Sequence, residues 1–215
     1  MTTGDPAGHP GRLDKQRLRQ AVTARRHARP CSVRLAADAA RDTLVLESLP
    51  VSVRVVAAYA SAGDEPGTLP LVHELHRRGI QVLLPVLRRP GPGGLARPDW
   101  AAYQGPETLR PGRYGIAQPT GEALGARGLA AADLVLLPGL SGTVDGVRLG
   151  TGGGWYDRAL LHASPHAPRW LLLHDDEVAT HLPLDPWDQS VTALVTETRW
   201  VACTAPVQAR RRAGA

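Results

Sequence analysis

The sequence predicts an α/β protein built on a mainly parallel sheet, and three observations carry that expectation. Four short runs are almost continuously apolar: VSVRVVAAYA (51–60), IQVLLPVL (80–87), ADLVLLP (132–138) and RWLLLH (169–174). Such runs suit strands covered on both faces, as parallel strands are, whereas half-solvated strands alternate apolar and polar residues. Between the runs lie segments with helical periodicity, which is the alternation of an α/β chain. Loops rich in glycine follow the first and third runs, at the carboxyl ends of strands, where open sheets gather their ligands.

The elements follow in order. Residues 1–11, rich in Gly and Pro, read as a disordered tail, 12–204 as a single α/β domain, and 205–215 as a basic C-terminal tail. Residues 13–28 form a basic helix with a thin apolar stripe of Leu13, Leu18, Ala21 and Val22. Ser32 can cap a second helix, running to about residue 46 and carrying Leu35, Ala36, Ala39 and Leu44. Strand 51–60, the loop GDEPG, an amphipathic helix over 68–78 stopped by Gly79, and strand 80–87 come next. Residues 88–120 are rich in Pro, Gly and Arg, with Trp100, Tyr103 and Tyr114 interleaved; short strands and an active-site loop are expected there. Then come strand 132–138, a glycine loop, a helix over 154–162, strand 169–174, a short helix over 176–182 and a final strand or pair over 192–202.

The 215 residues, 43% apolar, suffice for one core. No eighteen consecutive residues are apolar, which excludes a membrane-spanning helix, and the N-terminus lacks an apolar signal core. A soluble, cytoplasmic monomer is expected. Cys31 and Cys203 make neither a disulfide framework nor a metal motif. The net charge of +5 is unevenly placed: residues 1–34 carry +6, residues 210–212 add three Arg, and 35–209 carry −4. A basic N-terminal helix and tail leave a nucleic-acid module open as a reading from a different class, although the middle of the chain offers no basic groove. Arg outnumbers Lys 24 to 1, so Lys15 stands out. A lysine is a compact charge that arginine mimics poorly at a phosphate; one surviving surface lysine is the alternative.

The segment LLPGLSGTVDGVRLGTGGGWYDRALL (136–161) runs from strand through glycines into helix. It lacks the Gly-Lys-Ser/Thr ending of a Walker loop, the G-x-G-x-x-G spacing of a dinucleotide fingerprint and the G-x-S-x-G of a hydrolase elbow. Successive glycine N–H groups before a helix can still converge on an anion, with Arg148 supplying formal charge and Asp157 a ligand for Mg²⁺. The competing reading is a tight crossover packed by Gly150–Gly154. Elsewhere, His73 and His76 could share a metal but read as a solvated face, and His162 and His166 read as surface. His174-Asp175-Asp176 reads as catalytic or as a helix cap formed by one of the aspartates. Trp100 and Tyr103 suit either a flat ligand ring or the core.

The glycine segment resembles the signature of the 5-formyltetrahydrofolate cyclo-ligase family, roughly P-G-x-x-F-D-x-x-G-x-R-L-G-x-G-x-G-Y-Y-D-R-x-L. Further segments resemble that family in the same order: DKQRLRQ its K-x-x-x-R motif (Lys15, Arg19), VVAAYASAGDEPGT its Y-x-S-x-x-x-E-x-x-T segment (Tyr59, Glu65), YGIAQP its Y-G-I-x-E-P segment, and HDDEVATHLPLDPWDQSVTALVTETRW its C-terminal block (Asp188).

The resemblance implies a three-layer α/β/α fold of the coenzyme A transferase-like type. It implies ATP- and Mg²⁺-dependent closure of 5-formyltetrahydrofolate to 5,10-methenyltetrahydrofolate, with ADP and phosphate released. It implies that Lys15 and Arg19 meet ATP phosphates, with Lys15 and Arg148 catalytic. Arg148, Leu149, Gly150, Thr151, Gly152, Gly153, Gly154, Trp155 and Tyr156 would wrap the nucleotide, Thr151–Trp155 also facing the formyl group. Ala60 and Glu65 would touch the folate, and Asp157 and Asp188 would hold Mg²⁺. The chain departs from the pattern at Gly142-Thr143, where Phe-Asp is usual, and at Thr151, Trp155, Thr192 and Gln118. The lost phenylalanine motivates an alternative, a family member that keeps ATP and Mg²⁺ but takes a different small N-formyl substrate.

Overall fold

The computed structural model describes residues 10–88 and 96–204, with side chains from Leu13 onward. Helix α1 (Pro10–Ala28) starts inside the expected N-terminal tail; the rest of both tails lies outside the described residues. Then follow α2 (Cys31–Ser48), β1 (Val55–Ala57), α3 (Leu69–Arg77), β2 (Gln81–Pro85), β3 (Trp100–Tyr103), β4 (Leu109–Pro111), β5 (Ala117–Pro119) and β6 (Leu134–Pro138). After these come β7 (Ser141–Thr143), β8 (Arg148–Leu149), α4 (Trp155–Leu160), β9 (Arg169–Leu172), β10 (Val178–Ala179), β11 (Ala193–Val195) and β12 (Trp200–Ala202).

Seven strands form the central sheet in the order β12-β11-β9-β6-β1-β2-β3. The inner five are parallel, and each edge strand is antiparallel to its neighbour. Strand periodicity divides the apolar runs between two cores. Leu134 and Leu136 of β6, Val82 and Leu84 of β2, and Trp170 and Leu172 of β9 face α2 and α3, meeting Val45, Leu71, Val72 and Leu75. Val135, Leu137, Leu83 and Leu171 face the other way, onto Ala159 and Leu160 of α4 and Leu129 of a short 3-10 turn. That is the expected α/β/α sandwich around a mostly parallel sheet, and burial on both faces explains why these runs are apolar throughout.

A smaller sheet, β10-β7-β8, stands beyond the carboxyl ends of the central strands. α1 packs on it, and not on the main sheet, through Val22 and Leu18 against Leu140, Val147, Leu149 and Leu182. The glycine segment is therefore half hairpin. Its residues Ser141–Thr143 and Arg148–Leu149 pair as antiparallel strands across a turn at 144–147, and Gly150–Gly154 is the loop that leads into α4.

Four local expectations need correction. The buried face of α2 is Ala37, Arg41 and Val45, while Leu35, Ala36 and Ala39 are exposed. A fully buried arginine at i+4 hid the true stripe from a pattern that scores arginine as polar. Likewise Ala21 and Leu13 of α1 are exposed. Pro30, not Ser32, caps α2, its carbonyl accepting the Arg34 N–H at 3.0 Å. The expected helix over 176–182 is a 3-10 turn, Asp175–Glu177, that passes straight into β10, so Asp175 and Asp176 lie inside the turn and His174 caps it. Pairing of Val178 and Ala179 with β7 takes the backbone groups a helix would have used.

Candidate active site

A cavity of about 600 Å³ opens between the two sheets. Its floor comes from the strand ends, through Tyr59 and Ala60 after β1, Pro85 and Leu87 after β2, and Pro138 and Gly139 at β6. One wall is the turn of α1 that carries Lys15 and Arg19. The opposite wall is the run from Arg148 through Asp157, and Asp185, Trp187 and Asp188 close it. Every residue to which the family resemblance gave a site role, Lys15, Arg19, Ala60, Glu65, the ten from Arg148 to Asp157, and Asp188, lines this one cavity. It brings together segments more than 170 positions apart.

The cradle is held open by its backbone. Gly152 (φ 106°) and Gly154 (φ 60°) adopt left-handed conformations that side-chain-bearing residues avoid, and a Cβ on Gly152 would press on the Arg19 guanidinium at 3.4 Å. Arg19 Nε donates to the Gly150 carbonyl at 2.9 Å, fastening α1 to the cradle rim. α4, only six residues long, adds little dipole, so the positive charge is supplied by side chains. Among the described residues, six cations (Lys15, Arg19, Arg88, Arg113, Arg148, Arg158) and four acids (Glu65, Asp157, Asp185, Asp188) line the cavity, a balance of +2 that favours an anion.

Ion pairs set the positions of these groups. Lys15 is 6% exposed, and its Nζ lies 2.6 Å from both Asp185 Oδ2 and Asp188 Oδ2. Arg148 Nη2 donates to Asp157 Oδ1 at 2.6 Å, while its Nε is buried with no hydrogen-bond partner among the described residues. A buried guanidinium N–H without an acceptor is costly, and an anion in the cradle is what would satisfy it. The Gln189 N–H also donates to Asp157 Oδ1 at 3.2 Å, which brings Asp157 beside the turn that bears Asp188. Two such carboxylates at a phosphate cradle suit Mg²⁺, which takes one or two carboxylates and completes its shell with water and phosphate oxygens. Among the described residues no group of three or more His, Cys, Asp or Glu could hold a metal without such help.

The loop after β1 is tied to itself. Thr68 Oγ1 donates to the Tyr59 carbonyl at 2.5 Å, Tyr59 OH to the Pro66 carbonyl at 3.0 Å, and the Ala62 N–H to Glu65 Oε2 at 3.0 Å. Burial raises the Glu65 pKa, opposed by the Ala62 N–H and the charge of Arg26. Burial raises Tyr156 as well, and the Glu65 charge adds to that shift.

Sequence reasoning missed several lining groups. Asp185 is one, though its place three residues before Asp188 in LPLDPWD was visible. On the cavity lip, Arg113 stacks 4.7 Å over the ring of Tyr114, which is 75% exposed at φ 59°, and Trp187 is 68% exposed. Trp100 and Tyr103 are core residues: neither lines the cavity, and Trp100 packs against Trp155 at 5.4 Å. His162 and His166 are exposed, as expected. His73 accompanies Tyr103 OH at 3.5 Å, with no further ligand group. His174 is buried among arginines, and burial and their charge push its pKa down to about 3, so it stays neutral, and it does not line the cavity. The basic helix spends its charge internally: Arg26 on Glu177, Arg29 on Asp176, and Lys15 as above.

The departures from the family pattern fall largely away from the cavity. Gly142 is buried on β7, where an added Cβ would meet Leu171, Leu194 and Leu173 at 2.6, 3.0 and 3.2 Å. Thr143, also buried, bonds Asp145 and accepts the Val147 N–H at 3.1 Å, closing the hairpin. Thr192 ties the start of β11 to Arg169 of β9. None of these three lines the cavity.

Comparison with known proteins agrees with this geometry. Residues 12–197 match the model of the 5-formyltetrahydrofolate cyclo-ligase family. The chain is 36% identical over 188 residues to the 5-formyltetrahydrofolate cyclo-ligase of Mycolicibacterium smegmatis, covering 87% of this chain and 95% of that one. It is 31% identical over 150 residues to the Escherichia coli protein of the same name, covering 69% and 81%. The solved structure of Aquifex aeolicus 5,10-methenyltetrahydrofolate synthetase superposes with a TM-score of 0.74 at 26% identity, covering 88% of this chain and 92% of that one. The Mycoplasma pneumoniae synthetase shares the fold, with a TM-score of 0.64 at 20% identity over 86% and 99%. An enzyme of the ligase class, the chain belongs to the 5-formyltetrahydrofolate cyclo-ligase family.

Proposed function

We propose that this enzyme closes 5-formyltetrahydrofolate to 5,10-methenyltetrahydrofolate, using ATP with Mg²⁺ and releasing ADP and phosphate, as a cytoplasmic monomer. The observation that carries the reading is the buried Arg148, whose Nε lacks a partner among the described residues, set in a glycine cradle opposite Lys15 and Arg19. A formyl oxygen is a poor leaving group, so it must first accept the γ-phosphoryl group; folate nitrogen N10 then attacks the formyl carbon and phosphate departs. The protein's task is positioning and charge stabilisation. Lys15 and Arg19 bind the triphosphate from the α1 side. Arg148 stabilises the charge that develops on the phosphoryl oxygens during transfer, and the N–H groups of Gly150–Gly154 orient them. Trp155 and Tyr156 exclude water from the formyl group, and Ala60 and Glu65 hold the folate at the end of β1. Asp157 and Asp188 would hold Mg²⁺, which supplies charge neutralisation between the phosphates.

The reading is tested by mixing the protein with 5-formyltetrahydrofolate, ATP and Mg²⁺ and recording ultraviolet absorbance. The spectrum of the methenyl product is expected; no product, with ATP binding intact, would overturn the substrate assignment. The Gly142-Thr143 departure gives a different substrate no support, since those residues pack against the sheet and not on the cavity.

A further inference from the structure

Two of the three cations that the reading above assigns to phosphate, Lys15 and Arg148, are held in the structure by acids, while Arg19 donates to the Gly150 carbonyl. Arg148 is bound to Asp157, and Lys15 to Asp188 and also to Asp185, a residue to which neither the family pattern nor the reaction gives a part. We propose that Asp185 is a further site residue. With Asp188 it clamps Lys15 in a pair that a divalent cation must release, so that triphosphate and metal bind as coupled ligands. The inference rests on the nucleotide reading of this cavity.

The geometry argues for competition. Asp185 and Asp188 each place one oxygen 2.6 Å from the same Nζ, so those oxygens are at most about twice that distance apart. The Asp185 N–H also donates to Asp188 Oδ2 at 2.8 Å, which fixes both acids in one turn. Proline residues, Pro183 and Pro186, flank Asp185 and restrict that turn. The Lys15 side chain is 7% exposed, so salt screens its pairs little. Asp188 is 15% exposed and Asp185 42%, which makes Asp185 the outer jaw of the clamp.

A triphosphate arriving without metal must therefore draw Lys15 from two carboxylates while three carboxylates repel it. A divalent cation reverses both terms: it engages carboxylate oxygens and so frees Lys15 and Arg148 for phosphate. By linkage each ligand then strengthens the other by the same factor. Asp185 adds a charge to the barrier against bare triphosphate beyond the two acids assigned to the metal.

Calorimetric titration of the full chain with ATP, in EDTA and separately with excess Mg²⁺, and without folate, tests this. The wild-type protein should bind metal-free ATP at least about tenfold more weakly than Mg-ATP. Asp185→Asn should bind metal-free ATP about three- to tenfold more tightly than wild type, narrowing that ratio. Asp185→Ser should move it in the same direction, and Asp185→Glu, which restores the charge, should return it towards the wild-type value. If both neutral variants, folded by thermal melt, bind metal-free ATP no more tightly than wild type, the clamp is wrong while the nucleotide reading stands. A loss of Mg-ATP affinity with no gain for metal-free ATP would make Asp185 a metal ligand and likewise overturn the clamp. Wild-type protein that binds ATP in neither form would bring down the nucleotide reading itself, and the clamp with it.

Discussion

Two sets of ion pairs gather at the carboxyl end of the sheet, and they differ in what lies over them. Lys15 with Asp185 and Asp188, and Arg148 with Asp157, open onto the cavity. About three turns further along α1 from Lys15, Arg26 forms a bidentate pair with Glu177, the two side chains 4% and 1% exposed, and Arg41 is fully buried against Asp38, the Leu173 carbonyl and His174. The side-chain chemistry is the same. In the sealed set every partner is protein, so the arrangement is fixed; in the open set a ligand can replace the partner. The sealed set also serves the open one, because Arg26 Nη2 donates at 2.6 Å to the carbonyl of Gly139 in the cavity floor. α1 is thus pinned at one end and presents Lys15 and Arg19 at the other.

Substitutions can break or sharpen this contrast. The largest effect is expected in the open set. Lys15→Ala and Asp157→Ala should each lower turnover by about a thousandfold or more, since each removes a charge aimed at the phosphoryl group or its metal. The melt of Lys15→Ala should stay within a few degrees of wild type, and Asp157→Asn, which keeps an acceptor for the buried Arg148, should show the turnover loss with its fold intact where Asp157→Ala strands that charge. Near-normal turnover in either variant would remove that residue from the mechanism.

In the sealed set the expected effect is on folding. Arg26→Met should cost about 3 kcal/mol in chemical denaturation, because the buried Glu177 loses its bidentate partner and keeps only Arg29 at 4.0 Å and the His174 N–H at 3.0 Å. Adding Glu177→Leu should recover much of that loss, since the stranded charge goes too. If Arg26→Met leaves stability untouched, the two sets do not differ as described.

The smallest effect concerns Asp42, beside Arg41 on α2. Its Oδ1 is shielded from solvent without a hydrogen-bond partner among the described residues, and burial pushes its pKa up to about 7. The folded state then holds this proton more tightly than the unfolded chain, whose Asp titrates near about 3.9. Stability should fall as pH rises through the window between the two values. Asp42→Asn should therefore gain about 1–2 kcal/mol at pH 8, after allowance for partial solvent screening, and the gain should vanish towards pH 4. A gain independent of pH would point to packing rather than charge.

Much of this architecture was legible in the chain. The runs at 80–87, 132–138 and 169–174 gave strands because burial on both faces demands continuous apolar residues, and the cavity collects every residue that the motifs nominated. What stayed hidden shares a cause: a long-range partner overrides a local pattern. Arg41 looks like a solvent residue until Asp38, Leu173 and His174 are placed around it. Residues 178–179 look helical until β7 pairs with them. Asp185 has no signal of its own, because its meaning comes from Lys15, 170 positions away.

Gly142 carries one more consequence, for anyone recombining this family. Its Cβ position is already filled by Leu171, Leu173 and Leu194, which belong to other segments of the chain. The glycine signature is thus not a portable cassette. A loop transplanted from a relative with phenylalanine at this place would bring a ring into space these leucine methyls occupy, and the leucines would have to turn aside or be replaced by smaller residues to admit it.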